Sequence, residues 1–252
     1  MTSHRTSERE YFYNESIFKK RSLRHDEFDF PETIQFLTER MTNENAALIY
    51  VKENTTIPVP EVIEFSQKDG SWTLITKIIP GVMLRDIEAS KRQAAIEAVN
   101  QQMALEILPQ LHRLTRQEIG SVDMNIPVYP PSVVLTEHPH KSWDRITCKD
   151  SKFVFCHNDL SGHNILVDPE TYEIVGIVDW EYSGFFPPWF EEDLWKERFN
   201  QRDQTRRKAH VQRVYNFFQR QKDSISNDFV GEAKAQQEVL GDLKDDLKTC
   251  SN

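Results

Sequence analysis

Apolar positions along this chain fall into short blocks whose spacing changes from one segment to the next. The first ten residues, MTSHRTSERE, are polar and predict a frayed end. Residues 11–23 set Tyr11, Tyr13, Ile17 and Phe18 among Lys19, Lys20 and Arg21, which predicts one strand. Residues 24–36 are expected to lead into a helix with Pro31 in its first turn. One or two helices are expected over 31–54. The firmest part is 43–54, where Ala46, Ala47, Ile49, Tyr50 and Val51 supply an apolar face. Pro58 and Pro60 forbid its continuation, because each removes a donor and fixes φ. Residues 61–65 and 72–79 then predict a hairpin around Lys68-Asp69-Gly70, closed by Pro80-Gly81.

From residue 84 to 118 the spacing turns helical. Ile96, Val99, Met103, Ile107, Leu111 and Leu114 recur at threes and fours, with an interruption expected at Pro109. Residues 120–151, with Pro127, Pro130, Pro131 and Pro139, predict a long loop of the kind that often carries function. Residues 153–184 read FVFCHNDLSGHNILVDPETYEIVGIVDWEYSG. Three apolar runs there deliver Asp159, Asn164 and Asp179 to strand ends, with a turn at Asp168-Pro169. In 185–195, FFPPWFEEDLW, the aromatic residues and Trp180 are expected to pack, and Glu181, Glu191, Glu192 and Asp193 to form a solvated acidic face. Residues 195–221 predict a charged helix and 227–252 an acidic tail. That order predicts an α+β chain: a small mixed lobe over 1–79, a mainly helical lobe over 80–225 and a polar tail over 226–252.

A length of 252 residues suffices to bury a sizeable core. The formal net charge of −9 lacks the basic footprint of a nucleic-acid binder. No apolar run approaches the roughly 18–20 residues that span a bilayer, and the N-terminus has no apolar signal region. Cys148, Cys156 and Cys250 are odd in number and lack CxxC spacing, so a reducing, cytoplasmic setting is expected, with Cys156 in the core.

Acids and an amide beside β-rich segments are costly to bury without partners, and a divalent cation carrying phosphate is one such partner. His157-Asn158-Asp159-Leu160-Ser161-Gly162-His163-Asn164 fits H-x-D-L-x-x-x-N, in which the Asp accepts the proton of an acceptor hydroxyl and the Asn ligates a metal. A hairpin from 165 to 178 returns the chain so that Asp179 can face the same metal. His157 is expected to brace the loop. A metallohydrolase built on His157, Asp159 and His163 finds no second ligand motif among the other histidines.

These residues resemble the aminoglycoside phosphotransferase family of the protein-kinase-like superfamily, in particular its fungal branch, and Asp179-Trp180-Glu181 is similar to that family's metal-binding D-x-E motif. The resemblance covers about 11–195. It implies a two-lobed kinase-like fold with an abbreviated N-terminal lobe, and an ATP- and Mg2+-dependent phosphotransferase acting on a small-molecule hydroxyl. It implies Asp159 as the catalytic base and Asn164 and Asp179 as Mg2+ ligands. Residues 17–23 resemble the strand of the nucleotide lysine, placed at Lys20, and 43–48 resemble the helix whose glutamate, Glu44, pairs with it. Residues 74–81 resemble the strand and hinge beside the adenine. Alternation turns Lys19 and Lys20 to opposite faces, so at most one points inward, and Glu44 also suits the first turn of a helix. One departure stands out: all eight glycines lie at or after Gly70, so no glycine-rich phosphate loop precedes Lys20. The 19 residues before Lys20 are expected to be too few for a generous two-stranded flap. A kinase-fold binding or scaffold protein without turnover is therefore the alternative.

Overall fold

Residues 9–22 form two strands rather than one, because Asn14 turns the chain by accepting the N–H groups of Ser16 and Ile17 at its side-chain oxygen, at 2.8 and 2.9 Å. The protein is seen here as a computed structural model, which describes residues 2–31, 34–139, 142–148, 152–196 and 204–220. Strands β1 (Thr2–Arg5), β2 (Arg9–Tyr13), β3 (Ile17–Ser22), β4 (Val62–Lys68) and β5 (Ser71–Lys77) make an antiparallel sheet in the order β1-β2-β3-β5-β4. Two expectations are corrected here. The polar N-terminus is not frayed over residues 2–10, since β1 pairs with β2 from Thr2↔Tyr13 to Arg5↔Glu10. A two-stranded flap does precede Lys20, and its tip is Thr6-Ser7-Glu8.

The β4–β5 hairpin turns on Asp69 and Gly70, both at positive φ (50° and 78°), which gives a two-residue turn whose twist matches the strands. Helix α1 (Leu37–Asn54) follows the flap sheet, and Pro31 precedes it instead of opening it. Its inner face is Leu37, Met41, Leu48 and Val51, not Ile49, which is exposed. Glu44 falls in the same series of threes and fours, so the helix buries it with them.

The other lobe is built on helices and two small antiparallel sheets. Helix α2 (Arg92–Gln102) runs through a π turn (Met103–Ile107) into α3 (Leu108–Arg113). The wide turn comes where Pro109 lacks the N–H that a regular helix needs. One sheet has the order β10-β9-β6, from β6 (Val82–Met83), β9 (Ile165–Val167) and β10 (Ile174–Ile177). The second has the order β11-β8-β7, from β7 (Thr115–Arg116), β8 (Phe153–Cys156) and β11 (Gly184–Phe186). In the stretch 120–151, α4 (Ser132–Glu137) replaces part of the expected loop, and its end stacks His138 on Tyr215 of α5 (Gln204–Arg220). Phe153, Phe155, Cys156, Leu160, Ile165 and Trp180 are wholly buried beneath the two sheets. Gly184 lets β11 touch the chain at residue 120: a Cβ there would meet the Gly120 carbonyl oxygen at 2.6 Å. Among the described residues no helix is long and apolar enough to cross a membrane. The acidic tail 226–252 lies outside the described residues.

Candidate active site

The loop between β8 and β9 is held from below by groups far along the chain. His157 and Asn158 donate their backbone N–H groups to the Glu191 carboxylate, the latter at 3.0 Å. The Asn158 side chain donates to the Tyr182 carbonyl at 2.9 Å. These bonds hold Asn158 at φ 64°, a left-handed conformation that a non-glycine residue keeps only under such constraint. His157 is fully buried; its Nε2 donates to the Val178 carbonyl at 3.0 Å, while its Nδ1 accepts the Asp159 N–H at 3.3 Å. That pair of bonds selects one tautomer of the neutral ring, and burial lowers its pKa to about 4. The bracing role expected of His157 is the role its bonds describe.

A pH experiment follows from this ring. The unfolded chain binds the His157 proton near the ordinary pKa of 6.5, and the folded chain only near 4. Between those values the unfolded state binds more protons, so this residue's contribution is present above 6.5 and is lost as the pH falls towards 4. Nitrogen-15 spectra of the imidazole should show it neutral at pH 5.5, whereas a charged His157 at that pH would contradict the buried placement.

Asp159 leaves this loop with its side chain 18% exposed. Burial pushes its carboxyl up to about 7, helped by the charges of Asp179 and Glu181. Asn164 donates its side-chain N–H to the Asp159 backbone carbonyl at 2.9 Å and to its carboxylate at 3.2 Å. The Asn164 carbonyl in turn accepts the Val178 N–H at 2.9 Å, which lays Asn164 beside Asp179. The amide nitrogen of Asn164 faces Asp159, so its oxygen is the atom left to offer a cation.

Across the cleft, Lys20 on β3 is 4% exposed. Its ammonium donates to both Glu44 oxygens at 2.9 and 2.7 Å and to Asp179 at 2.8 Å. Burial works against the charge on Lys20, but Asp179 and Glu44 outweigh it and raise its pKa. Burial likewise opposes ionisation of Asp179, yet Lys20 and Arg9 hold that carboxyl well below its usual range. Asp179 sits at φ 65°, the second left-handed residue of the site. The structure thus brings Lys20, Glu44 and Asp179 into one ion cluster, and Asp159 and Asn164 into one hydrogen-bonded pair. The Asn164–Val178 bond joins the two groups. Asn164 and Asp179 are hard oxygen donors of the type Mg2+ takes, and Asp179, one-third exposed, stays open to the cleft.

The acids after Asp179 do not form the solvated face expected of them. Glu181 is 4% exposed and is gripped by Arg9 of β2 and by Arg40 of α1, the latter at 3.4 Å. Its backbone carbonyl accepts from Asn43 at 3.1 Å and from the Tyr129 hydroxyl. Glu191 holds the loop, Glu192 lies 3.6 Å from His210, and Asp193 pairs with Lys196 and Arg206. Glu44, Asp179 and Glu181 present ligand atoms within 4.8 Å of one another, but Lys20, Arg9 and Arg40 neutralise them. Arg9 and Arg40 were not singled out by sequence reasoning, and Glu181 and Glu191 were placed there on a solvated acidic face. Glu181 carried a signal as the last residue of Asp179-Trp180-Glu181, and Glu191 carried one in its place within an aromatic run, where an acid is apt to be buried with a purpose.

Residues 95–195, which include the whole Asp159–Asp179 loop and hairpin, match the family model described as "Phosphotransferase enzyme family" (APH). This stretch is similar to that phosphotransferase family. An aminoglycoside 3'-phosphotransferase of Streptomyces fradiae is 28% identical over 138 residues, 49% of this chain and 52% of that protein. A probable choline kinase 1 of Arabidopsis thaliana is 46% identical over 44 residues, 18% of this chain and 12% of that one. The chain spans about half the length of the aminoglycoside relatives it matches (52% of each). Among solved structures, the aminoglycoside phosphotransferase APH(3'')-Id of Streptomyces rimosus superposes with a TM-score of 0.52 at 16% identity, covering 89% of this chain and 87% of that one. A thermostable mutant of APH(4)-Ia, in ternary complex with AMP-PNP and hygromycin B, gives 0.50 at 14% identity over 95% and 92%. These likenesses establish the fold: the chain has the two-lobed α+β architecture of the phosphotransferases.

Proposed function

We propose that this chain transfers the terminal phosphate of ATP to a hydroxyl of a small molecule, binding the nucleotide between a lobe over 1–79 and a lobe over 80–225. The observation that carries this reading is the Lys20–Glu44–Asp179 cluster standing next to the Asp159–Asn164 loop. Mg2+, when held by Asn164 and Asp179, supplies charge neutralisation at the phosphates. Lys20, kept charged by its two acids, steadies the nucleotide. Asp159 orients the acceptor hydroxyl and takes its proton, a role that suits a carboxylate of raised basicity. Glu191 and His157 keep the loop in place while this happens. Positioning and electrostatics provide most of the rate, since the reaction asks little covalent chemistry of the protein.

The acceptor is proposed to be a hydroxyl-bearing amine or ammonium compound. The relatives are named for aminoglycosides and choline, both of that class, and the chain carries a net charge of −9. A reading without turnover, as a nucleotide-binding kinase fold, is favoured by one feature only, the glycine-free flap tip. Incubation with labelled ATP, Mg2+ and a panel of amino alcohols separates the two. Label transfer that disappears in Asp159→Ala supports the enzyme, and nucleotide binding with no transfer to any acceptor supports the binder.

A further inference from the structure

The flap of a nucleotide site meets phosphate through whatever donors its tip presents. Here three backbone N–H groups of the tip are engaged within the hairpin. Thr6 donates to the Arg9 carbonyl at 2.8 Å, and Glu8 and Arg9 donate to the Thr6 hydroxyl at 3.4 and 3.1 Å. The three ammonium hydrogens of Lys20 are matched by Glu44 and Asp179. Beyond Ser7, the tip therefore offers a polyphosphate few donors of its own.

Arg9 is placed to be a further donor. It stands where β2 leaves the tip, 5% exposed, and both its terminal nitrogens meet the Glu181 carboxylate, two residues from Asp179. Its Nε is buried and has no hydrogen-bond partner among the described residues. Glu181 does not depend on Arg9 alone, since Arg40 lies 3.4 Å from the same carboxylate. Arg9 can leave without stranding a buried, unpaired acid, which is the usual obstacle to opening such a pair. The flap stays anchored meanwhile, because Arg40 also binds Glu8 at 2.6 Å.

We propose that Arg9 is a phosphate-binding residue of the nucleotide site, exchanging the Glu181 carboxylate for phosphate oxygens of a bound nucleoside triphosphate. This rests on the nucleotide reading above. The planar guanidinium suits the task, since it binds a carboxylate or a phosphate with the same two-pronged geometry. Glu181 acts as the placeholder that keeps the fork aimed into the cleft, and Arg9 does with a side chain what a glycine-rich tip does with backbone.

Calorimetric titration of the full chain with Mg·ATP and, separately, with adenosine tests this. Arg9→Gln should weaken Mg·ATP by about tenfold to a hundredfold, the worth of a charge-assisted contact, and leave adenosine unchanged. Glu181→Gln, which removes the competing carboxylate, should bind Mg·ATP at least as tightly as the wild type. The double variant Arg9→Gln/Glu181→Gln carries no unpaired acid, so it serves if the single Arg9 variant does not fold, and it should bind as weakly as Arg9→Gln. Affinity for Mg·ATP that is indifferent to Arg9, or that falls in step with adenosine, overturns the assignment while leaving the nucleotide site standing. A wild type that binds no Mg·ATP removes both.

Discussion

Asp159→Asn should lower the rate of phosphate transfer by on the order of 10³-fold, within the range for loss of a positioned general base, while nucleotide affinity stays near that of the wild type. Asparagine keeps an oxygen to accept the Asn164 side-chain N–H that Asp159 accepts at 3.2 Å, so the loop retains its shape. The clamps below it, Glu191 on the His157 and Asn158 N–H groups and His157 on Val178, do not involve the Asp159 side chain. What disappears is the ability to take the acceptor's proton. A fall in kcat with unchanged nucleotide binding assigns the defect to the transfer step, whereas activity close to the wild type would sink the role given to Asp159.

Lys20→Met has the other large effect, and it falls on stability as well as turnover. The ammonium is the direct partner of both Glu44 and Asp179, with three hydrogen bonds between 2.7 and 2.9 Å. Deleting it leaves two adjacent acids, one of them buried, and breaking such a cluster typically costs about 3–5 kcal/mol. Native stability is only about 5–15 kcal/mol, so the variant should unfold at markedly lower urea. Burial and the Asp179 charge already push the Glu44 carboxyl upward against the pull of Lys20. Without Lys20 it takes up a proton more readily still, and the deficit should shrink as the pH is lowered. Adding Glu44→Gln to Lys20→Met should recover part of the loss at neutral pH. Equal urea midpoints for wild type and Lys20→Met would show that the cluster does not hold the lobes together.

How much of this was readable in the sequence follows from how local each feature is. The stretch 153–184 was legible because its polar residues fall at motif spacing and the β9–β10 hairpin, with its turn, is set by neighbours close in sequence, although distant groups hold the loop before it. Lys20 and Glu44 were legible as a pair through resemblance alone: alternation left Lys19 and Lys20 equivalent, and Glu44 lies well inside a helix that begins at Leu37 rather than in the first turn that its place in the sequence suggested. The strand Thr2–Arg5 was not legible, since it is exposed throughout and has no apolar alternation; pairing with β2 creates it. Glu181 was misjudged because its burial depends on Arg9 and Arg40, which lie 172 and 141 residues away in sequence. A lone acid looks solvated until its cations are known. Glu191 was misjudged for a related reason, because the partners that justify it are backbone N–H groups, which leave no trace in composition.

The most direct measurement is the melting temperature of the full chain with and without millimolar Mg·ATP, for the wild type and for Asp179→Asn. Asp179 joins the Lys20 cluster to the proposed metal position, so nucleotide bound there stabilises the folded state only while that carboxylate is present. A Mg2+-dependent rise in the wild type that is lost in Asp179→Asn is the expected result. No rise in the wild type, or an equal rise in both, would contradict a nucleotide site built on Lys20, Asn164 and Asp179.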